Sequence, residues 1–122
     1  MIKEAYCSLE VAKLLKEKGF DECIFEFYEG DKIKYARNGK GFRLSELGSS
    51  YYPHITHQMA MAWLREVHKV NIEIHYNRFG ENYRYIIIYK PEVLDDIRSL
   101  GVFYHYEEAV EEALKYVLKN LI

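Results

Sequence analysis

Three groups of side chains have types and spacings that chemistry could use. The first is Pro53-His54-Ile55-Thr56-His57, where two imidazoles three residues apart could share a metal ion. A zinc site needs a third or fourth ligand, and no spacing ties His68 or His75 to the first pair. The pattern therefore predicts solvated or helix-capping histidines and no metal site. The second group is Arg37-Asn38-Gly39-Lys40-Gly41-Phe42-Arg43, whose glycines free the backbone and whose cations suit a phosphate. It has neither the Gly-x-x-x-x-Gly-Lys-Ser/Thr order of a P-loop nor the Gly-x-Gly-x-x-Gly order of a dinucleotide site. Lys40-Gly41-Phe42 matches the opening of an RNA-binding RNP1 strand, but Arg43 and Leu44 do not continue it. This segment reads as a flexible basic loop.

The third group is tyrosine, with twelve residues against six phenylalanines and one tryptophan. Tyr28, Tyr76, Tyr83, Tyr85 and Tyr89 fall on expected strands, so a cluster is expected on the sheet face turned away from the helices. Such a cluster suits the stacking of single-stranded bases. It suits a protein interface equally, because tyrosine offers large contact area at low entropy cost, and hydroxyl-tipped core residues are the plain alternative. The candidate interaction residues are thus Tyr83, Tyr85, Tyr89, Arg37, Lys40 and Arg43.

No catalytic constellation emerges beside these groups. Cys7 has no assigned histidine base, and Ser8 and Thr56 read as helix caps. Asp95, Asp96, Glu107 and Glu108 lie at or near helix first turns, where dipole and solvent account for them. No catalytic residue and no cofactor are assigned. The formal net charge of −2, with both signs interspersed, favours a protein partner over a polyanion. Cys7 and Cys23 form no Cys-x-x-Cys pair and read as two buried, reduced thiols of a cytoplasmic protein. The opening Met1-Ile2-Lys3-Glu4-Ala5-Tyr6 is too polar for a signal peptide, and no apolar run approaches the roughly 20 residues of a membrane span.

The elements that must position these residues follow a repeated order: a polar cap, a short amphipathic helix, then two strands. Ser8 opens a helix in which Leu9, Val11, Ala12 and Leu15 share a face, and Gly19 closes it in the left-handed conformation. Strands follow at 23–28 and 32–36, with Phe27 expected opposite Ile33 across a three-residue loop. Residues 37–52 have no sustained period and read as a long exposed loop. Thr56 opens the second helix, with Met59, Ala60, Trp63, Leu64 and Val67 on its apolar face. Strands follow at 71–76 and 83–89, the second apolar on both faces. Residues 92–100 read as a short helical turn. A last helix over 106–121 buries Ala109, Val110, Ala113, Leu114, Val117 and Leu118, with His105 as a weak cap.

The chain therefore predicts one α+β domain over residues 1–122. It has two layers in the order α-β-β-α-β-β-α, with a four-stranded, mainly antiparallel sheet and helices packed on it. Two αββ halves, about 8–36 and 56–89, are joined by the loop 37–52 and closed by the final helix.

Three stretches carry a resemblance: Tyr6 through Phe20, Gln58 through Val67, and Tyr106-Glu107-Glu108-Ala109 through Leu121-Ile122. Together they resemble small uncharacterised proteins encoded in prophages and mobile elements of gut Bacteroides-type bacteria. The likeness spans about half the chain and omits the loop 37–52. In those proteins the final helix tends to open with serine where this chain has His105. The resemblance implies a cytosolic host and a phage or plasmid origin, and it carries no activity, cofactor or catalytic residue. The functional expectation is a non-enzymatic interaction module that binds a protein partner or self-associates, without membrane contact. Single-stranded nucleic-acid binding through the strand tyrosines and the basic loop is the alternative, and a small phosphate-binding enzyme comes third.

Overall fold

Local capping chemistry sets the first helix, α1 (Leu9–Glu17), in the computed structural model. The Ser8 hydroxyl accepts the amide of Val11 at 3.2 Å, satisfying one of the free first-turn donors. At the other end Gly19 adopts φ 92°, the Gly19 amide donates to Lys16 O, and the Phe20 amide donates to Leu15 O. This is a Schellman stop, and it seats the buried Phe20 beside the buried Leu15. Val11, Ala12 and Leu15 form the buried face.

The structure describes residues 2–36, 39–89 and 96–122. Among them the fold is α+β, with three α-helices and two antiparallel three-stranded sheets. The expected single four-stranded sheet is therefore corrected. The chain divides into two compact units, residues 1–56 and 57–122.

In the N-terminal unit, β1 (Glu26–Glu29) and β2 (Lys32–Tyr35) form a hairpin that pairs Phe27 with Lys34, not with Ile33. The turn is the two residues Gly30-Asp31, with Gly30 at φ 64°, as a mirror-image turn requires at its first central position. All four residues of β2 are exposed, so no buried face pins the register and the turn decides it. On the other side of β1 lies β3 (Tyr51–Pro53), giving the order β2-β1-β3. Helix α1 packs on β3.

The segment expected as a long exposed loop is built, within its described residues 39–52, as a folded connection. Phe42 and Ile24 exchange both backbone hydrogen bonds at 2.9 Å, and a 3-10 turn over Leu44–Glu46 buries Leu44. Asp21 fastens that turn by accepting the Ser45 amide and hydroxyl, each at 2.8 Å. Gly41 lies so close to Cys23 that a Cβ there would run into the Cys23 sulfur. Cys7 is buried as expected, whereas Cys23 is exposed, and both are free thiols.

The C-terminal unit opens with α2 (His57–His68), which buries His57, Ala60, Met61, Trp63 and Leu64. Met61, not Val67, completes its apolar face, and Val67 is exposed. Lys69 alone, at φ 59°, turns the chain into β4 (Val70–Asn77), which pairs with β5 (Asn82–Tyr89). Strand β6 (Ile97–Arg98) completes the order β4-β5-β6 and falls in the segment read as a helical turn; residues 92–95 of that segment lie outside the described residues. Helix α3 (Tyr106–Asn120) buries all six apolar residues expected of it and packs on β5, β4 and α2. His105 precedes it without a side-chain capping bond.

Candidate interaction surface

Hydrogen-bond parity along β5 defines the surface that stands out. Tyr83 exchanges both backbone bonds with Phe103, at 2.7 and 2.9 Å. Tyr85 accepts the Ser99 amide at 3.0 Å, and its own amide donates to Ser99 Oγ. The backbone groups of Tyr83 and Tyr85 therefore point away from β4. In an antiparallel ladder their partners on β4, Tyr76 and Ile74, must then turn their own N–H and C=O groups outward. The same alternation extends to Ile72. Among the described residues nothing pairs with that side of β4.

Of the four edge strands of the two sheets, β3 and β6 have only three and two residues, and the two longer edges, β2 and β4, differ in composition. On β2, Ala36 donates to Phe25 O, which by parity leaves the groups of Ile33 and Tyr35 facing out. That edge is four residues long and carries Lys32 and Lys34, the charged guard that natural edge strands use against pairing. The edge of β4 is eight residues long and contains no lysine, arginine, proline or glycine; Glu73 is its one formal charge. Asn71, Glu73, His75, Tyr76 and Asn77 are exposed, and Ile72 and Ile74 are half-buried.

The tyrosine cluster expected on the face away from the helices lies on the face toward α3. The Tyr83 ring meets Tyr106 edge-on at 5.8 Å, and Tyr85 lies 6.5 Å from Tyr116. The Tyr89 hydroxyl donates to Leu121 O at 3.0 Å. Tyr85 is 9% exposed, and burial, with Tyr116 and Glu112 nearby, raises its hydroxyl above the usual tyrosine range. The opposite face carries Asn71, Glu73, His75 and Arg84, so burying the tyrosine side is the cheaper arrangement. Of the basic candidates, Lys40 and Arg43 are exposed in the N-terminal unit. Arg37 lies outside the described residues. Tyr76, Tyr83, Tyr85 and Tyr89 thus belong to a different unit from the basic segment, whereas Tyr28, on β1, shares the unit of that segment.

The two histidines expected to be solvated or capping are each held by a carboxylate instead. His54 Nδ1 lies 2.7 Å from Glu26 Oε2, its ring stacked on Tyr6 at 4.3 Å and met edge-on by Tyr28. Burial and the neighbouring Glu26 charge raise the Tyr6 hydroxyl. His57 Nε2 lies 2.6 Å from Glu111 Oε2, and both side chains are largely buried. Each imidazole has one carboxylate, and among the described residues no group of three or more metal-ligating side chains occurs.

A groove of about 400 Å³ runs beside the end of α1, its lining including Lys16, Phe20, Asp21, Leu44, Leu47 and Ser49. Both charged side chains are engaged. Asp21 holds Ser45, which, with Arg43 close by, keeps its carboxyl below the usual carboxylate range. Lys16 Nζ donates to the carbonyls of Gly48, Ser49 and Tyr51. The groove therefore offers a ligand no free ionisable group.

Among the described residues no helix is long and apolar enough to cross a membrane. No protein-family model, curated protein or solved structure matches the chain.

Proposed function

We propose that this protein is a non-enzymatic interaction module that takes a strand of its partner onto the open edge of β4. The observation that supports the reading is the eight-residue, unguarded edge, in contrast to the edge of β2, which carries two lysines. Backbone groups supply the affinity in such strand addition, and the alternating side chains supply the choice of partner. A cytoplasmic setting and an origin in a mobile element belong to the same proposal; they rest on the two free thiols and on the resemblance of the three segments. The nucleic-acid alternative draws no support from Tyr85, which is buried against α3 and offers no face for stacking.

Amide exchange in dilute solution tests the reading without any partner. The amides of Asn71, Glu73 and His75 donate to β5 and are expected to be protected, while those of Ile72, Ile74 and Tyr76 exchange freely. Uniform protection along β4 in dilute protein would mean that the edge is already covered, and the proposal would fall.

A further inference from the structure

We infer that the strand received by β4 is the β4 of a second copy, antiparallel and centred on Ile74. The inference rests on the reading of β4 as an interaction edge and adds the identity and register of the partner.

Self-pairing is limited first by backbone parity. Outward-facing groups lie on Ile72, Ile74 and Tyr76, so these residues must face one another across the new ladder. Registers that set an outward residue against an inward one make no hydrogen bonds. Two allowed registers use nearly the whole strand. One sets Ile74 against Ile74 and Ile72 against Tyr76; the other sets Glu73 against Glu73.

Charge separates these two. In the register centred on Glu73, two carboxylates lie directly opposite, which is destabilising. In the register centred on Ile74, Glu73 of each copy faces His75 of the other, and the two-fold axis makes that contact twice. Both side chains are half exposed and already lie 3.2 Å apart within one chain, so they can turn to a partner without leaving a buried charge. Parity also makes Glu73 opposite His75 a non-hydrogen-bonded pair, the closer of the two antiparallel pair types. On the other face Ile72 meets Tyr76, an aromatic and β-branched combination favoured across strands. An edge strand with lysines at these positions would repel its own copy, as Lys32 and Lys34 of β2 would.

Sedimentation of the full chain across the micromolar range tests the partner. The wild type is expected to dimerise reversibly. His75→Glu sets two carboxylates opposite at both contacts and is expected to weaken the dimer about tenfold or more. The double variant Glu73→Lys/His75→Glu sets a lysine opposite a glutamate at both contacts and is expected to recover most of that loss. Both sites are exposed, and tryptophan fluorescence of Trp63 checks that each variant is folded. A dimer indifferent to His75→Glu, or not recovered in the double variant, overturns the pairing.

A second arm reads the register. In a Cys23→Ser background, Ile74→Cys is expected to form an intermolecular disulfide and Glu73→Cys is not, because only the residue on the two-fold axis meets itself. The reverse result overturns the register. A wild type that stays monomeric while its β4 amides show alternating exchange overturns the second copy and leaves the open edge standing. Uniform protection in the monomer overturns both.

Discussion

Lys16 is the side chain on which the N-terminal unit should prove most sensitive outside its apolar core. Its ammonium donates to Tyr51 O at 2.7 Å, Ser49 O at 2.9 Å and Gly48 O at 3.3 Å, and lies 5.0 Å from the Tyr52 ring centre. One cation thereby ties β3 and the segment before it to α1. Lys16→Met keeps the apolar stem and removes the charge. The Ser49 and Gly48 carbonyls are exposed and recover water, so their loss costs little. The Tyr51 bond is partly buried, and a hydrogen bond to a charged group contributes about 1.5–3 kcal/mol. The cation–ring contact contributes about 0.5–1 kcal/mol more. Discounting the upper ends for partial exposure, Lys16→Met is expected to cost about 2–3 kcal/mol. Lys13→Met is the control, since Lys13 lies 5.6 Å from the same ring; it is expected to cost under about 1 kcal/mol. Lys16→Arg should not rescue, because a planar fork cannot converge on three carbonyls as an ammonium does. Urea unfolding followed by tyrosine near-ultraviolet circular dichroism gives the comparison. Equal losses for Lys13→Met and Lys16→Met, or full stability in Lys16→Arg, would refute the reasoning.

The same unit yields two further expectations. Gly41→Ala places a methyl group against the Cys23 sulfur and the Phe25 ring and is expected to cost about 1–3 kcal/mol, with relief in Gly41→Ala/Cys23→Ala; urea midpoints decide. Asp21 has its carboxyl lowered by the Ser45 amide first and the Ser45 hydroxyl second. A lowered folded pKa means that the contribution is complete above the unfolded value of about 3.9 and is lost as pH falls through the folded value. Ser45→Ala removes the hydroxyl bond alone, so the Asp21 carboxyl should move part of the way back up in a nuclear magnetic resonance titration; no movement would contradict the assignment.

What sequence reasoning reached and what it missed divide by the range of the interactions. The Ser8 cap, the Gly19 stop and the six buried residues of α3 are readable because each depends on neighbours within a few positions. Strands β3 and β6 have three and two residues, too few to display a period, and exist only through pairing with distant strands. The first hairpin was open to misreading because β2 has no buried face to fix its register. His57 and Glu111 are 54 positions apart, so no spacing rule joins them. The tyrosine face was decipherable in principle. Glu73, His75 and Asn71 mark the wet face of β4, and cross-strand parity then places Tyr83, Tyr85 and Tyr89 opposite it, toward a helix. That β4 lies at an edge is a property of strand order, which the alternation within β4 does not encode. Once the order is known, the contrast between Lys32 and Lys34 on one edge and the near absence of charge on the other can be read from the residues alone.

The claim that β4 is an open edge built to receive a strand is tested most directly by residue-resolved amide exchange at two protein concentrations. In dilute protein, Ile72, Ile74 and Tyr76 should exchange freely between protected Asn71, Glu73 and His75, and in concentrated protein the three free amides should become protected as well. Protection of Ile72, Ile74 and Tyr76 already in the dilute monomer would contradict the account.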